Sequence, residues 1–441
     1  MTAVTDALRQ LSGAFGPDFT WGVSTASYQI EGAVAEDGRV PSVWDTFCAR
    51  PGAVLDGDTG EVACDHYHRY AEDVALMADL GVDAYRFSFA WPRIMTADGE
   101  VERRGLDFYD RLVDALLAAG IEPVPTLFHW DMPQWVADLG GWWERSTADR
   151  FADYTAVVAE RFADRITRWI TLNEPAMVTL LGHGLGTHAP GEARGFDALT
   201  TAHHQLLAHG RAVQALRAAG VGSIGIANNH TPVWRADDSA EVREAAEVYD
   251  ALHNWLFADP VLRGTCPLGV IPDEDLAVIA QPLDWYGLNY YNPTLVGPPA
   301  DDLPFSLLEI EGYERNDFGW PLVPAGLTEM LTGLRDRYGA DLPPIMITEN
   351  GGSFGEGPDA DGRVADRRRI DQLATHLLAL RAAQQAGVDV RGYFHWSLLD
   401  NFEWAEGYRQ RFGLVHVDYA TQRRTPKDSF GWYRDLIGTH R

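Results

Sequence analysis

A short apolar segment, then a loop, then an amphipathic helical stretch recurs along the chain without interruption. Eight apolar segments follow this pattern, at residues 19–25, 84–90, 122–130, 168–173, 223–229, 284–291, 343–350 and 391–397. Strands that alternate with helices form parallel β/α units, and eight units predict a closed (β/α)8 barrel of the α/β class. A doubly wound open sheet is the structural rival, but no GxGxxG motif follows the first strand to favour it.

Glycines mark the ends of the clearest helical stretches. Residues 70–80, 106–119 and 367–386 have helical periodicity and are followed directly by Gly81, Gly120 and Gly387. A glycine just past the last periodic residue is typical of a left-handed C-cap. No linker or low-complexity tract divides the chain, so residues 1–441 are predicted to form a single barrel domain. The Pro/Gly/acid-rich stretch 297–316 is expected to be a long insertion loop.

Polar and aromatic residues gather at the C-terminal ends of six of the apolar segments. They are Arg86, Ser88, His129, Trp130, Asn173, Glu174, Asn289, Tyr291, Glu349, Asn350, His395 and Trp396. One polar strand end could be structural, satisfied by a neighbouring backbone group. Six together predict an active site, because in a (β/α)8 barrel the loops converge on that face.

Two carboxylates stand out among these strand ends. Glu174 ends the fourth predicted strand and Glu349 the seventh. Such a pair can flank a glycosidic bond, and the separation of the carboxyl groups, which the sequence leaves open, decides between retention and inversion. The two groups need opposite tuning of their pKa values, and a cation such as Arg86 nearby would keep Glu349 ionised.

The charged residues limit the kinds of molecule that the protein can bind and the kinds of chemistry that it can perform. The net charge is −28, with 64 acidic against 36 basic side chains, which disfavours binding to nucleic acid or to an anionic membrane. Lys427 is the only lysine, and it lies in a predicted loop before the last helix. A lysine-dependent aldolase needs a lysine in its site and a P-loop needs one after its glycines, so both classes are excluded.

The cysteines are too few and too scattered for a disulfide framework or a zinc site. They are Cys48, Cys64 and Cys266, and we expect no metal and no cofactor. The first residues lack a basic region followed by an apolar core, and no apolar run has the length of a membrane span. We therefore expect a cytoplasmic protein. The sequence leaves the oligomeric state open, and a homo-oligomer is compatible with it.

Several motifs together carry a resemblance to a known family. TLNEP (171–175) and ITENG (347–351) occur with FTWGVSTASYQIEGA (19–33), YRFSFAWPRI (85–94), FHWDMPQW (128–135), LNYYNP (288–293) and HWSLLDNFEWAEGYRQRFGL (395–414). In this order and at predicted strand ends, they resemble glycoside hydrolase family 1, the β-glucosidases and their relatives. The resemblance extends over nearly the whole chain.

The resemblance implies a retaining mechanism with Glu174 as acid/base and Glu349 as nucleophile. It also implies that Tyr291 hydrogen-bonds the nucleophile and that Arg86 is its charged neighbour. The substrate-binding positions that it implies are Gln29, His129, Trp130, Asn173, Asn289, Tyr291, Trp396, Glu403 and Trp404. Among them, Trp396 corresponds to the ring beneath the nonreducing-end sugar.

Single residues separate this chain from neighbouring subfamilies. Myrosinase-like enzymes carry glutamine at the position of Glu174, and phospho-β-glycosidases carry serine at the position of Glu403 with a lysine close by. The resemblance therefore implies an exo-acting enzyme on a neutral β-glycoside, with side activity on β-galactosides or β-fucosides and a place in cellulose or polysaccharide degradation. Departures from the family pattern are Gly352, Ser353, His395 and His416.

Two alternatives remain open at this point. Transglycosylation would use the same residues, with a sugar acceptor in place of water, so only kinetics distinguishes it from hydrolysis. A noncatalytic carbohydrate-binding barrel would be expected to lose Glu174 or Glu349 while keeping the aromatic residues, and this chain retains both glutamates.

Overall fold

A computed structural model describes residues 2–301 and 303–441 and contains a closed barrel of eight parallel strands. The strands are β1 (Thr20–Ser24), β2 (Ala84–Ser88), β3 (Glu122–Phe128), β4 (Arg168–Asn173), β5 (Ser223–Asn229), β6 (Tyr286–Asn289), β7 (Ile345–Asn350) and β8 (Val390–Trp396). Each strand pairs with its neighbours in chain order, and β8 pairs with β1. Each of the eight predicted segments overlaps a barrel strand, so the closed barrel is confirmed and the open sheet is wrong.

Helices surround the barrel. The α-helices of seven residues or more are Thr2–Leu11, His66–Leu80, Arg103–Ala118, Ser146–Phe162, Leu199–Ala218, Ala240–Asp250, Leu256–Arg263, Asp273–Ile279, Pro324–Tyr338, Arg367–Gln385 and Asp428–Gly438. The glycines predicted to end three of them, Gly81, Gly120 and Gly387, have φ values of 78°, 74° and 95°, the left-handed conformation expected at a helix C-terminus. Across the described ranges, none of the helices combines the length and apolarity that crossing a bilayer requires.

Apolar side chains from the barrel strands pack together in a buried cluster. One buried cluster takes a residue from most strands: Ala84, Val124, Ile170, Ala227, Trp285, Met346 and Phe394. Gly22 in β1 is needed for this packing, because a Cβ atom there would lie 2.3 Å from the ring of Phe394. The packed interior leaves the C-terminal strand ends as the place where polar groups can meet a ligand.

The barrel closes between the first and last elements of the chain. Residues from Thr20 to Ser24 pair in parallel with residues from Gly392 to Trp396. The final helix covers this seam, and the hydroxyl of Tyr433 donates a hydrogen bond to the carbonyl of Gly22 at 3.0 Å. The closing contacts therefore join parts of the chain that are far apart in sequence.

The stretch 297–316 is more ordered than a simple loop. Ser306–Leu308 pairs antiparallel with Thr294–Gly297, which in turn pairs in parallel with Val233–Arg235. The expectation of an unbroken insertion loop is thus corrected: backbone hydrogen bonds to neighbouring strand ends order a segment whose own composition does not favour a strand. Residue 302, inside the predicted loop, lies outside the described residues.

Lys427 lies at the position predicted for it, immediately before the last helix, Asp428–Gly438. Its side chain is buried, and Nζ lies 2.7 Å from Oδ1 of Asp400, which is also buried. Although burial alone would raise the pKa of Asp400, Lys427 and the neighbouring cations hold it well below its usual range. The only lysine is therefore used in a buried ion pair.

Replacing Lys427 by methionine is expected to lower the free energy of unfolding by about 3 kcal/mol, because it leaves the buried Asp400 short of one countercharge. Equilibrium urea unfolding measures the change. Arg367→Met is the control, since its pair with Asp371 is exposed and should contribute about 0.5 kcal/mol or less. Equal effects of the two substitutions would contradict the prediction.

Candidate active site

The two strand-end glutamates emerge where the barrel strands depart from regular pairing. Glu174 directly follows β4, whose register with β5 shifts between Ile170 and Asn173. Glu349 lies within β7, and the register between β7 and β6 shifts between Ile347 and Glu349. Such irregularities change the direction of a side chain. Glu174 also has a φ of 45°, an uncommon conformation for a residue other than glycine, and one found in active sites.

Glu349 is buried beside a guanidinium group. Its Oε1 accepts a hydrogen bond from Arg86 Nη1 at 2.6 Å, and its Oε2 accepts one from the hydroxyl of Tyr291 at 2.8 Å. Burial raises the pKa of Glu349 above its ordinary value, although the positive charge of Arg86 and the hydroxyl of Tyr291 act in the opposite direction. Because the buried guanidinium of Arg86 needs a countercharge, we assign the negative charge to Glu349 and not to Glu174.

Glu174 is equally buried but faces amides instead of a cation. Its Oε1 accepts hydrogen bonds from Asn289 Nδ2 at 2.8 Å and from Asn229 Nδ2 at 3.0 Å. Burial and the negative charge of Glu349 raise the pKa of Glu174 to about 8. One carboxyl group of the pair is therefore ionised and the other protonated at neutral pH, which is the division of states that acid catalysis beside a nucleophile needs.

Two buried polar atoms beside this pair lack a hydrogen-bond partner among the described residues. They are Oε1 of Gln29 and Nδ1 of His129. The amide nitrogen of Gln29 lies 3.3 Å from Oε2 of Glu403, and the amide of Asn173 lies 3.1 Å from Nε2 of His129. Since buried polar atoms are normally paired, Gln29 and His129 are suited to bind a polar ligand.

Glu403 adds a third carboxyl group to the site. Burial raises its pKa to about 8, and the negative charge of Glu349 acts in the same direction. Burial also lowers the pKa of His129 well below its ordinary value, so this imidazole is neutral. With Arg86 as the cation bound to Glu349, the arrangement favours a ligand that is neutral and rich in hydroxyl groups over an anionic one.

Aromatic rings form the walls of the site. The ring of His129 lies parallel to that of Trp396, with centroids 5.7 Å apart, and the rings of Trp130 and Trp404 are 4.7 Å apart. Trp130 and Trp404 have positive φ values of 78° and 50°. The indole nitrogen of Trp130 donates to the backbone oxygen of Asn173 at 3.0 Å, so this residue can offer a ligand its ring but not that nitrogen.

These groups border a cavity of about 350 Å³. Of the predicted positions, the lining includes His129, Trp130, Glu174, Tyr291, Glu349, Trp396, Glu403 and Trp404. Gln29, Arg86, Asn173 and Asn289 are not among the lining residues, but each makes a hydrogen bond to one of them. The volume is sufficient for a small-molecule ligand.

Sequence reasoning missed several residues of the lining. They are Met177, Leu181, His188, Asn229, Thr231, His253, Asn292, Thr294, Phe318, Trp320 and Phe412. Asn229 could have been found, because it ends β5 in the way that the other polar residues end their strands. Most of the others lie in loops, where no periodicity indicates which side chains face the site. The departures Gly352, Ser353, His395 and His416 are not part of the lining.

Two buried carboxyl groups lie at the C-terminal face of this (β/α)8 barrel, one against a guanidinium and the other against two amides. This arrangement defines a glycosidase of the two-carboxylate class. Residues 11–441 match the profile described as glycosyl hydrolase family 1. The chain belongs to this family.

Relatives and solved structures agree with this assignment. The chain is 43% identical to "Beta-glucosidase A" of Acetivibrio thermocellus, over 96% of this chain and 98% of the relative. It is 44% identical to "Bifunctional beta-D-glucosidase/beta-D-fucosidase" of Bifidobacterium breve, over 97% and 98%. The solved structure of the family 1 β-glucosidase from Thermotoga maritima in complex with isofagomine lactam superposes with a TM-score of 0.92, at 44% identity over 97% of this chain and 99% of that one.

Proposed function

We infer that this protein is a retaining, exo-acting β-glucosidase that works by double displacement. The observation that carries this inference is the unequal environment of the two glutamates: Glu349 contacts Arg86 at 2.6 Å, whereas burial and the charge of Glu349 raise the pKa of Glu174 to about 8. A nucleophile must be ionised and a general acid protonated, and these surroundings favour that assignment.

In the first step, Glu349 attacks the anomeric carbon from below while Glu174 donates its proton to the leaving oxygen, and a covalent glycosyl-enzyme forms. Bond formation removes the negative charge of Glu349, which is one cause of the raised pKa of Glu174. The carboxylate left on Glu174 then acts as base toward water in the second step. Two inversions at the anomeric carbon give net retention.

Gln29, His129, Asn173 and Glu403 are proposed to bind the hydroxyl groups of the nonreducing-end glucose. Trp396 is proposed to lie beneath the sugar ring, and Trp404 to offer a further polar contact, while Trp130 and Asn289 complete the set. Activity on β-fucosides or β-galactosides is proposed as well, and the relative from Bifidobacterium breve, named for both glucosidase and fucosidase activity, supports the first of these.

A phosphorylated sugar is not the proposed substrate. Its dianionic phosphate would meet the carboxyl group of Glu403 and the negative charge of Glu349, and it would find no lysine to bind it, since Lys427 is buried in its pair with Asp400. The natural substrates that we propose are neutral β-glucosides, including the short oligosaccharides released from cellulose and other polysaccharides. Cellobiose hydrolysis without activity on 6-phosphocellobiose is the expected result, and a preference for the phosphorylated sugar would contradict it.

We propose a cytoplasmic location, which cell fractionation can test. The three cysteines, Cys48, Cys64 and Cys266, are unpaired, as is usual in a reducing compartment. A homo-oligomer is compatible with this function, and light scattering after size-exclusion chromatography would determine the state.

The stereochemical course tests the proposed function directly. Proton NMR of the first products from 4-nitrophenyl β-D-glucoside should show the β-anomer of glucose, which later mutarotates. An initial α-anomer would rule out double displacement. A panel of aryl β-D-glycosides should give the highest kcat/KM for glucoside, with fucoside and galactoside measured alongside.

The pH dependence follows from the protonated state of Glu174. Because only the protonated carboxyl can donate, kcat/KM for cellobiose should fall as the pH rises through the pKa of Glu174, with a midpoint near the value of about 8. Replacing Glu349 by glutamine removes the neighbouring negative charge and should lower that pKa. Titration of ¹³C-labelled glutamate side chains by NMR measures the change, and a pKa that rises or stays constant would contradict the assignment.

A further inference from the structure

Both amides that contact Glu174 contact the same carboxyl oxygen. Asn289 Nδ2 and Asn229 Nδ2 lie 2.8 Å and 3.0 Å from Oε1. A protonated carboxyl carries its hydrogen on one oxygen only, and the other oxygen is the better hydrogen-bond acceptor. The direction of these two hydrogen bonds therefore decides which oxygen of Glu174 holds the transferable proton.

An arginine fixes the direction of the first hydrogen bond. A guanidinium can only donate, so the Asn173 atom 2.6 Å from Arg86 Nη2 is the amide oxygen. This oxygen also lies 3.0 Å from the amide of Asn289, which must therefore present its NH2 group there. The opposite end of that amide, Oδ1, accepts from the hydroxyl of Thr348 at 2.6 Å. Asn289 is thus held as a donor to Glu174.

Because Asn289 donates to Oε1, this oxygen is the acceptor and the proton of neutral Glu174 belongs on Oε2. Asn229 must then also present its NH2 group to Oε1, since an amide oxygen in that position would face another acceptor. Its own Oδ1 points the other way and lies 3.0 Å from Nε2 of His253. The orientation of Asn229 therefore depends on a hydrogen at that ring nitrogen.

His253 has the surroundings that place a hydrogen there. It is buried, and burial lowers its pKa to about 3, so the ring is neutral and carries one N–H. Its Nδ1 lies 3.2 Å from the hydroxyl of Tyr249, which can donate to it. The hydrogen consequently sits on Nε2 and faces Asn229. Tyr249, His253 and Asn229 therefore donate in turn, and the last of these hydrogen bonds ends on Oε1 of Glu174. The amide of Asn289 donates to the same oxygen from the other side.

We propose that His253 is a positioning residue that holds the Asn229 amide as a donor and thereby confines the transferable proton of Glu174 to Oε2. This proposal rests on the proposed role of Glu174 as acid/base. His253 lies in the π-helical segment Ala251–Trp255, an irregularity that is frequent at functional sites. The segment follows the helix Ala240–Asp250, so Tyr249 and His253 stand one turn apart and contact each other.

Loss of the donor at residue 253 allows the Asn229 amide to flip, which exchanges the positions of its oxygen and its NH2 group. Its oxygen then faces Oε1 of Glu174, and the carboxyl proton moves to Oε1 to make that hydrogen bond. A proton held there is not available to the leaving group. Substrates with a basic leaving group need the proton and are slowed, whereas substrates with an acidic leaving group depart without it.

The test compares His253→Phe, which keeps a flat ring without nitrogens, with His253→Gln, which keeps a donor near the position of Nε2. For His253→Phe, kcat/KM for cellobiose should fall roughly 10- to 100-fold, a part of the usual contribution of general acid catalysis, and that for 2,4-dinitrophenyl β-D-glucoside by about two-fold or less. His253→Gln should return cellobiose hydrolysis to near the wild-type value. Rates are expressed per active site, counted by the burst of dinitrophenolate from the 2-deoxy-2-fluoro glucoside.

Equal losses on both substrates, or no loss on either, would overturn the proposal, because a purely structural role does not distinguish leaving groups. Should His253→Phe fail to fold, Asn229→Ala acts on the same chain of contacts and should give the same dependence on the leaving group. Glu174→Ala is measured in parallel. If that variant shows no dependence on the leaving group, the acid/base role itself fails; if it does and the His253 variants do not, only the present proposal fails.

Discussion

Replacing Glu349 by glycine is expected to lower kcat for aryl β-D-glucosides by roughly 10⁵-fold or more, the order that loss of the nucleophile costs a covalent mechanism. The physical reason is the position of this carboxylate, which is buried and held by Arg86 and Tyr291. Removing it leaves no group to form the glycosyl-enzyme. Steady-state release of 4-nitrophenol measures the effect.

Azide provides the control for this variant. It is small enough to enter the space of the missing carboxylate and should restore turnover of 2,4-dinitrophenyl β-D-glucoside, with α-glucosyl azide as the product. An inverted product identifies the face from which Glu349 acts. A Glu349→Gly variant that keeps the wild-type rate, or that yields β-glucosyl azide, would show that the nucleophile is another residue.

Replacing Glu174 by alanine is expected to have an effect that depends on the substrate. For cellobiose, whose leaving group needs a proton, kcat/KM should fall by about 10³-fold, within the range of general acid catalysis, while the loss for 2,4-dinitrophenyl β-D-glucoside should be far smaller. The alkaline limb of the pH profile, assigned to the pKa of Glu174 at about 8, should also disappear.

Azide separates the role of Glu174 from that of Glu349. In Glu174→Ala the covalent intermediate still forms, and azide attacks it from the upper face, so the product should be β-glucosyl azide. Asn229→Asp is a useful comparison, because it alters a contact of Glu174 at 3.0 Å while leaving the carboxyl group in place. If Glu174→Ala gave α-glucosyl azide, the assignment of the two glutamates would have to be reversed.

The barrel could be predicted because the sequence pattern of a β/α unit is repeated along the chain. Each strand was marked by a run of apolar residues, and helices were marked by the glycines that end them, such as Gly81 and Gly387. The positions of Glu174 and Glu349 followed from the same pattern, since parallel strands bring their C-terminal ends to one face. That residues 1–441 behave as one domain, and that the site residues have the proposed roles, remain predictions.

Residues supplied by irregular segments could not be predicted in the same way. His253 lies in a π-helical turn and Phe318 in a loop, and neither position belongs to a helical or strand periodicity. The strand Ser306–Leu308 was missed because its hydrogen bonds come from Thr294–Gly297, a neighbour in space. The pKa of Glu174 is likewise a property of burial and of the nearby charge of Glu349, both of which exist only after folding.

The seam between β1 and β8 has a consequence for biosynthesis. A ribosome releases the N-terminal strand first, and Ser24 can pair with Arg86 of β2 early. Its partner on the other side, Trp396 of β8, emerges only near the end of synthesis. Until then β1 and β7 are open sheet edges, which invite pairing with other chains. A nascent or truncated chain that ends before β8 already contains both glutamates but lacks Trp396 and Glu403, so it can neither complete its cleft nor protect its edges. Synthesis through to the last helix is therefore needed before the barrel can close and the cleft can be completed.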